Sequence, residues 1–130
     1  MIILDTHYAQ VTFDKERELG MIAWKGKANS EEYQAAFNSL LELQKKVTIT
    51  RYISDIRNQA IVSPNDRKWF ETVALPQAIK QGLKAAAAVF DGNAFKKYYI
   101  NVIITSTNKY NLPMKVFNDL DEAISWIMTK

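Results

Sequence analysis

Five short segments rich in β-branched, aromatic or small apolar residues punctuate the chain, and after the first two each is separated from the next by a stretch long enough for a helix. Val11-Thr12-Phe13 and Met21-Ile22-Ala23-Trp24 read as strands, and the polar run Asp14-Lys15-Glu16-Arg17-Glu18 between them suits the exposed turn of a β-hairpin. Thr48-Ile49-Thr50-Arg51-Tyr52-Ile53 reads as a third strand ending at Ser54-Asp55. Lys84-Ala85-Ala86-Ala87-Ala88-Val89-Phe90 is ambiguous on propensity, because alanine favours helix. Its place between Gly82 and Asp91-Gly92, with Val-Phe at its end, argues for a buried strand whose small side chains let helices pack closely on both faces. Met114-Lys115-Val116-Phe117 is the fifth strand. The order β-β-α-β-α-β-α-β-α implies an α/β fold: one mixed, mostly parallel sheet of about five strands, with right-handed crossovers placing helices against it.

The helices announce themselves by their caps. Asn29 with Glu32 three residues on is a capping-box pattern, followed by apolar Tyr33, Ala36, Phe37, Leu40 and Leu41 on one face, and Lys45-Lys46 suit the C-terminal end of the dipole. Ser63-Pro64-Asn65-Asp66 starts a second helix, with Trp69, Phe70 and Val73 as its apolar face. Pro76 should kink or restart it, having no N–H to donate, and Gly82 should end it. Phe95, Tyr98, Tyr99, Val102 and Ile103 mark a third helix. Asp119 with Glu122 opens the last one, buried through Leu120, Ala123, Ile124 and Ile127.

At 130 residues the chain has the size of one domain, residues 1–130, with no repeat or linker. It has no cysteine, which removes thiolate nucleophiles, disulfides and Cys-ligated metal. The net charge of +3 comes from 17 Lys and Arg scattered along the chain, without the stripe a nucleic-acid binder uses. No apolar run approaches the ~20 residues of a membrane span, and the N-terminal residues lack the pattern of a signal peptide. A cytoplasmic protein is expected.

Several stretches carry a resemblance over the chain from about Val11 onward. They are Trp24-Lys25-Gly26, Tyr52-Ile53-Ser54-Asp55-Ile56-Arg57, Ser63-Pro64-Asn65-Asp66-Arg67-Lys68-Trp69, Leu75-Pro76 leading to Gly82-Leu83-Lys84, and Val116-Phe117-Asn118-Asp119-Leu120-Asp121-Glu122-Ala123-Ile124-Ser125-Trp126. With the order of elements, they make the chain resemble the STAS/SpoIIAA-like family, in the branch labelled STAS/SEC14. The resemblance implies a non-enzymatic role: contact with a protein partner, regulation of another protein, or ligand sensing, with lipid binding as the alternative. It also implies a phosphorylated Ser or Thr just after the third strand. Here Ile56, Arg57 and Asn58 stand there instead, so that switch is not expected.

Ligands of open α/β sheets bind beyond the carboxyl ends of the strands. Those ends supply Trp24, Lys25, Asp55, Arg57, Asn58, Asp91 and Asn93, and Trp69 joins Trp24 as a candidate for an apolar pocket. Arg57 offers a forked donor to a carboxylate or phosphate. Each has a plainer use: Asp55 capping its turn and pairing with Arg57, Asp91-Gly92-Asn93 as turn chemistry, both tryptophans as core. Trp126 and Met128 suggest an apolar patch for a partner or a homodimer. The single histidine, His7, lies near a terminus expected to fray and has no nucleophile or ligand set around it in sequence. No catalytic residue, metal or cofactor is expected. The expected partners are a protein or a small apolar or anionic ligand.

Overall fold

The structure, a computed structural model, describes residues 1–130. Its sheet has six strands in sequential order: β1 (Ile2–Asp5), β2 (Ala9–Asp14), β3 (Leu19–Trp24), β4 (Arg51–Asp55), β5 (Ala85–Val89) and β6 (Met114–Phe117). β1–β2 and β2–β3 are antiparallel, and the remaining three pairs are parallel. The expected count of five is one short. Ile2-Ile3-Leu4 is too brief to show a period, and it becomes a strand by pairing with β2. The N-terminal amine donates to Phe13 O at 3.0 Å and Phe13 N–H to Met1 O at 2.9 Å, so the terminus is fastened where fraying was expected.

Sequential parallel strands joined by right-handed crossovers place every crossover on the same face. That face carries α1 (Ser30–Gln44), the continuous helix made of α2 (Pro64–Trp69), a π turn (Phe70–Ala74) and α3 (Leu75–Lys80), and α4 (Lys97–Lys109). Only α5 (Leu120–Ile127), which follows the last strand, folds onto the other face. The alanine strand serves both layers. Ala88 packs with the main core, while Ala85, Ala87 and Val89 meet Ala123 and Ile127 of α5.

α1 forms as its cap predicts: Asn29 Oδ1 accepts from Glu32 N–H at 2.8 Å, and Glu32 Oε1 accepts from Asn29 N–H at 2.9 Å. Its five expected apolar residues are all buried, and Tyr33 stacks on Trp24 with ring centroids 5.1 Å apart. Burying each large side chain of this kind contributes about 1.5–3 kcal/mol, which fixes the helix on the sheet. Ser63 caps the second helix, and Leu75 N–H bonds to Phe70 O, five residues back, just before Pro76. The π turn is the restart that Pro76 imposes, since a proline nitrogen cannot close the α ladder.

Four local expectations are corrected. The third strand begins at Arg51, not Thr48, because the polar groups ahead of it are met elsewhere: Gln44 Nε2 donates to Ile49 O, and Thr50 and Arg51 N–H both donate to Glu18 O. Val73 is 44% exposed, because the extra residue of the π turn rotates it outward and Ala74, Leu75 and Ala78 take the buried positions. α4 starts at Lys97, leaving Phe95 in the preceding turn and Tyr98 outside, while Tyr99, Ile100 and Ile103 face the core. Asp119 does cap α5, but through Asp121 N–H, with no reciprocal bond from Glu122. No helix is long and apolar enough to cross a membrane.

Candidate functional site

An open cleft of about 690 Å³ lies at the carboxyl edge of β4 and β5. Its walls are the loops that leave those strands. After β4, Gly26 N–H donates to Asn58 O at 2.6 Å and Ala60 N–H to Gly26 O at 2.9 Å, extending the β3–β4 pairing beyond the strands. Asp55 closes the turn, accepting from Arg57 N–H at 3.2 Å, and takes both prongs of the Arg57 side chain, Nε at 3.0 Å and Nη2 at 2.7 Å. The hydrogen bond from Arg57 to Asp55, with the attraction between their charges, holds the Arg57 guanidinium above its ordinary pKa.

After β5, Asp91 and Asn93 build the turn. Asp91 Oδ1 accepts from Asn93 N–H at 3.0 Å, and Asn93 Oδ1 accepts from Phe95 N–H at 2.8 Å. The backbone bond from Asn93, followed by Lys96, lowers the Asp91 carboxyl below its usual range. Lys96 ties the two walls together. Its side chain is buried, and the ammonium donates to Ile56 O and Arg57 O at 2.8 Å each and to Asp91 Oδ2 at 3.3 Å. All three of its protons are thereby used.

The cleft therefore joins Arg57, Asn58, Asp91 and Asn93 of the expected residues. Asp55 stands behind Arg57, 12% exposed, as its positioning partner. Trp24, Lys25 and Trp69 lie outside the cleft. Trp24 is in the core, its Nε1–H donating to Ser54 Oγ at 3.2 Å. Lys25 reaches Asp5 at 3.2 Å and Thr6 O at 3.1 Å at the end of β1. Trp69 packs edge-on to Tyr33 in the aromatic cluster. His7 pairs with Glu32 at 3.2 Å and does not line the cleft. Trp126 is half-buried against Phe117, so the suggested patch with Met128 is small.

Sequence reading missed Lys96, Gln59, Ile61 and Phe95 as site residues. Ile61 and Phe95 line the cleft at 67% and 79% exposure, and an isolated isoleucine in a loop gives no such signal. Phe95 was hidden by its helical spacing from Tyr98 and Tyr99. A hollow of about 660 Å³ at the opposite edge is lined by the hairpin turn, where Asp14 and Arg17 pair with each other at 2.9 Å.

No protein-family model and no curated protein matches the sequence. Among solved structures, the chain is similar to an uncharacterized protein of the DUF3478 family with a SpoIIAA-like fold from Shewanella loihica PV-4. The two are 18% identical, the match covers 95% of this chain and 97% of that one, and the TM-score is 0.64. With that TM-score over nearly the whole of both chains, the chain has a SpoIIAA-like fold.

Proposed function

We propose that this protein is a non-enzymatic binding domain, recognising its ligand or partner through the cleft at the carboxyl edge of β4 and β5. One observation carries this reading: two exposed apolar side chains, Ile61 and Phe95, share a concave site with polar groups from two strand ends, held together by Lys96. Binding sites combine apolar lining with a few fixed polar groups, and open sheets favour this edge. A catalytic role has less support, because Asp55 is occupied by Arg57 and Asp91 by Asn93 N–H and Lys96.

The lipid-carrier alternative has little support. The apolar cavity between the sheet and its helices measures about 50 Å³, and neither Trp24 nor Trp69, the candidates for an apolar pocket, lines it. A cavity of about 150 Å³, three times that size, holds only a benzene-sized guest.

The test is native mass spectrometry of protein purified from its own source, beside an Ala60→Trp variant that fills the cleft from an exposed position. A ligand or partner retained by the parent and lost from the variant supports the reading. Equal retention by both moves the site elsewhere and overturns it.

A further inference from the structure

Next to the cleft lies a recess of about 10 Å³, with Gly26, Gln59, Ala60 and Ile61 lining both. Its remaining wall includes Tyr33 and Asp66. Gln59 and Asp66 are 6% and 4% exposed, so both side chains are more than nine-tenths buried. Gln59 Oε1 is fully buried and has no hydrogen-bond partner. No side chain donates to the Asp66 carboxylate, whose oxygens keep a little contact with solvent. The Asp66 N–H is spent on Ser63 Oγ, and the neighbouring Arg67 directs Nη1 to Val62 O and its guanidinium over the Tyr98 ring. The Tyr33 and Tyr99 hydroxyls bond to each other at 2.6 Å. Burial holds both phenols well above their ordinary pKa, and the charges of Asp66 and Arg67 act on them in opposite directions.

A fully buried acceptor without a donor, Gln59 Oε1, beside the nearly buried Asp66 carboxylate suits a compact group that supplies several hydrogens. The first-turn position of Asp66 in α2 suits its charge but gives the carboxylate no hydrogen bond. A metal ion would want about six oxygen ligands, and no cluster of three or more acidic or histidine side chains is present. A protonated primary amine fits the demand: three donors, one positive charge and the bulk of a water molecule. The exposed Ile61 and Phe95 on the adjoining cleft would cover its carbon stem. Resting on the cleft as the binding site, we propose that the recess takes the ammonium head of a small primary amine with an apolar stem, held by Asp66 and Gln59.

The experiment is calorimetric titration of the full chain with n-butylamine and phenethylamine, against phenylethanol and phenylacetate as stem-matched controls. The expected result is binding of the amines at least tenfold tighter than either control. Asp66→Asn and Gln59→Leu, each checked for native circular dichroism, should each weaken amine binding about tenfold or more. Two substitutions are used so that one that fails to fold does not decide the matter.

No amine binding by the parent, or binding unchanged in a folded Asp66→Asn, overturns the proposal. So does a crystal structure soaked in phenethylamine that shows only a water bridging Gln59 and Asp66. If the Ala60→Trp variant still loses a native-source ligand while the amines fail, the amine assignment falls and the cleft stands. If both experiments fail, the cleft falls with it.

Discussion

The Tyr33 hydroxyl lies 2.6 Å from the Tyr99 hydroxyl, a hydrogen bond that joins α1 to α4 inside the main core. Replacing either tyrosine by phenylalanine strands the other hydroxyl in the core, and leaving a buried polar group unpaired costs about 1–3 kcal/mol. Tyr33→Phe and Tyr99→Phe should each lower stability by that amount. The double variant should be less destabilised than the sum, since the second change removes the stranded group. Urea unfolding of the four proteins gives the coupling, and strict additivity would show that the pair does not act as a unit.

The same burial sets the alkaline limit of the fold. Tyr33, Tyr52 and Tyr99 all have pKa values raised by desolvation. In the unfolded chain they ionise near pH ~10, so above it the native state binds more protons than the unfolded state. Stability from these groups is therefore full below about pH 10 and falls as pH rises toward the raised values, by about 1.4 kcal/mol per pH unit for each tyrosine. Tyr52→Phe should make that fall shallower in denaturant unfolding across the alkaline range. Phenolate absorbance offers an independent check: ionisation of all six tyrosines near pH ~10 in the folded protein would contradict the account.

Lys96 is a structural strut for the cleft, with its ammonium on Ile56 O, Arg57 O and Asp91 Oδ2. Lys96→Met keeps the apolar stem and removes the donors, leaving two backbone carbonyls short of a partner. The expected loss is about 1–3 kcal/mol. Hydrogen exchange should rise selectively in residues 91–96 and 56–60, where the two cleft walls lose their tie. A uniform rise across the sheet would mean that Lys96 stabilises the whole fold and not the cleft.

Local chemistry made much of this architecture readable. Asn29 with Glu32 and Ser63 with Pro64 fix helix starts by bonds within three residues, and the α1 stripe repeats five times on one face. What stayed hidden depends on distant partners. Ile2-Ile3-Leu4 is a strand only because β2 lies beside it, and Phe95 is exposed because α4 begins two residues later than its spacing suggests. Of the candidate site, Arg57, Asn58, Asp91 and Asn93 were legible as strand ends. The burial of Lys96, Gln59 and Asp66 was not, since lysine, glutamine and aspartate ordinarily face water and only the packed structure shows where they lie.

Over Gly20 of β3, the Leu40 side chain of α1 packs close to the backbone. A Cβ built there would lie 2.9 Å from Leu40 Cδ2 and 3.1 Å from Leu40 Cδ1. Leu40 is fully buried, and the apolar cavity of about 50 Å³ that it lines gives its methyls only part of the room they would need to retreat. Two effects oppose each other in Gly20→Ala. Alanine is favoured over glycine within a strand by roughly 0.5–1 kcal/mol, while forcing a methyl into a packed core costs about 1–3 kcal/mol. The overpacking should win, giving a net destabilisation. Leu40→Ala alone should cost about 2–5 kcal/mol through its cavity. Combining the two places the new methyl in that cavity, so the double variant should be more stable than the sum of the single losses predicts. Equilibrium unfolding of all four proteins measures the coupling, and a stabilised Gly20→Ala single variant would show that α1 can shift away from β3 at little cost.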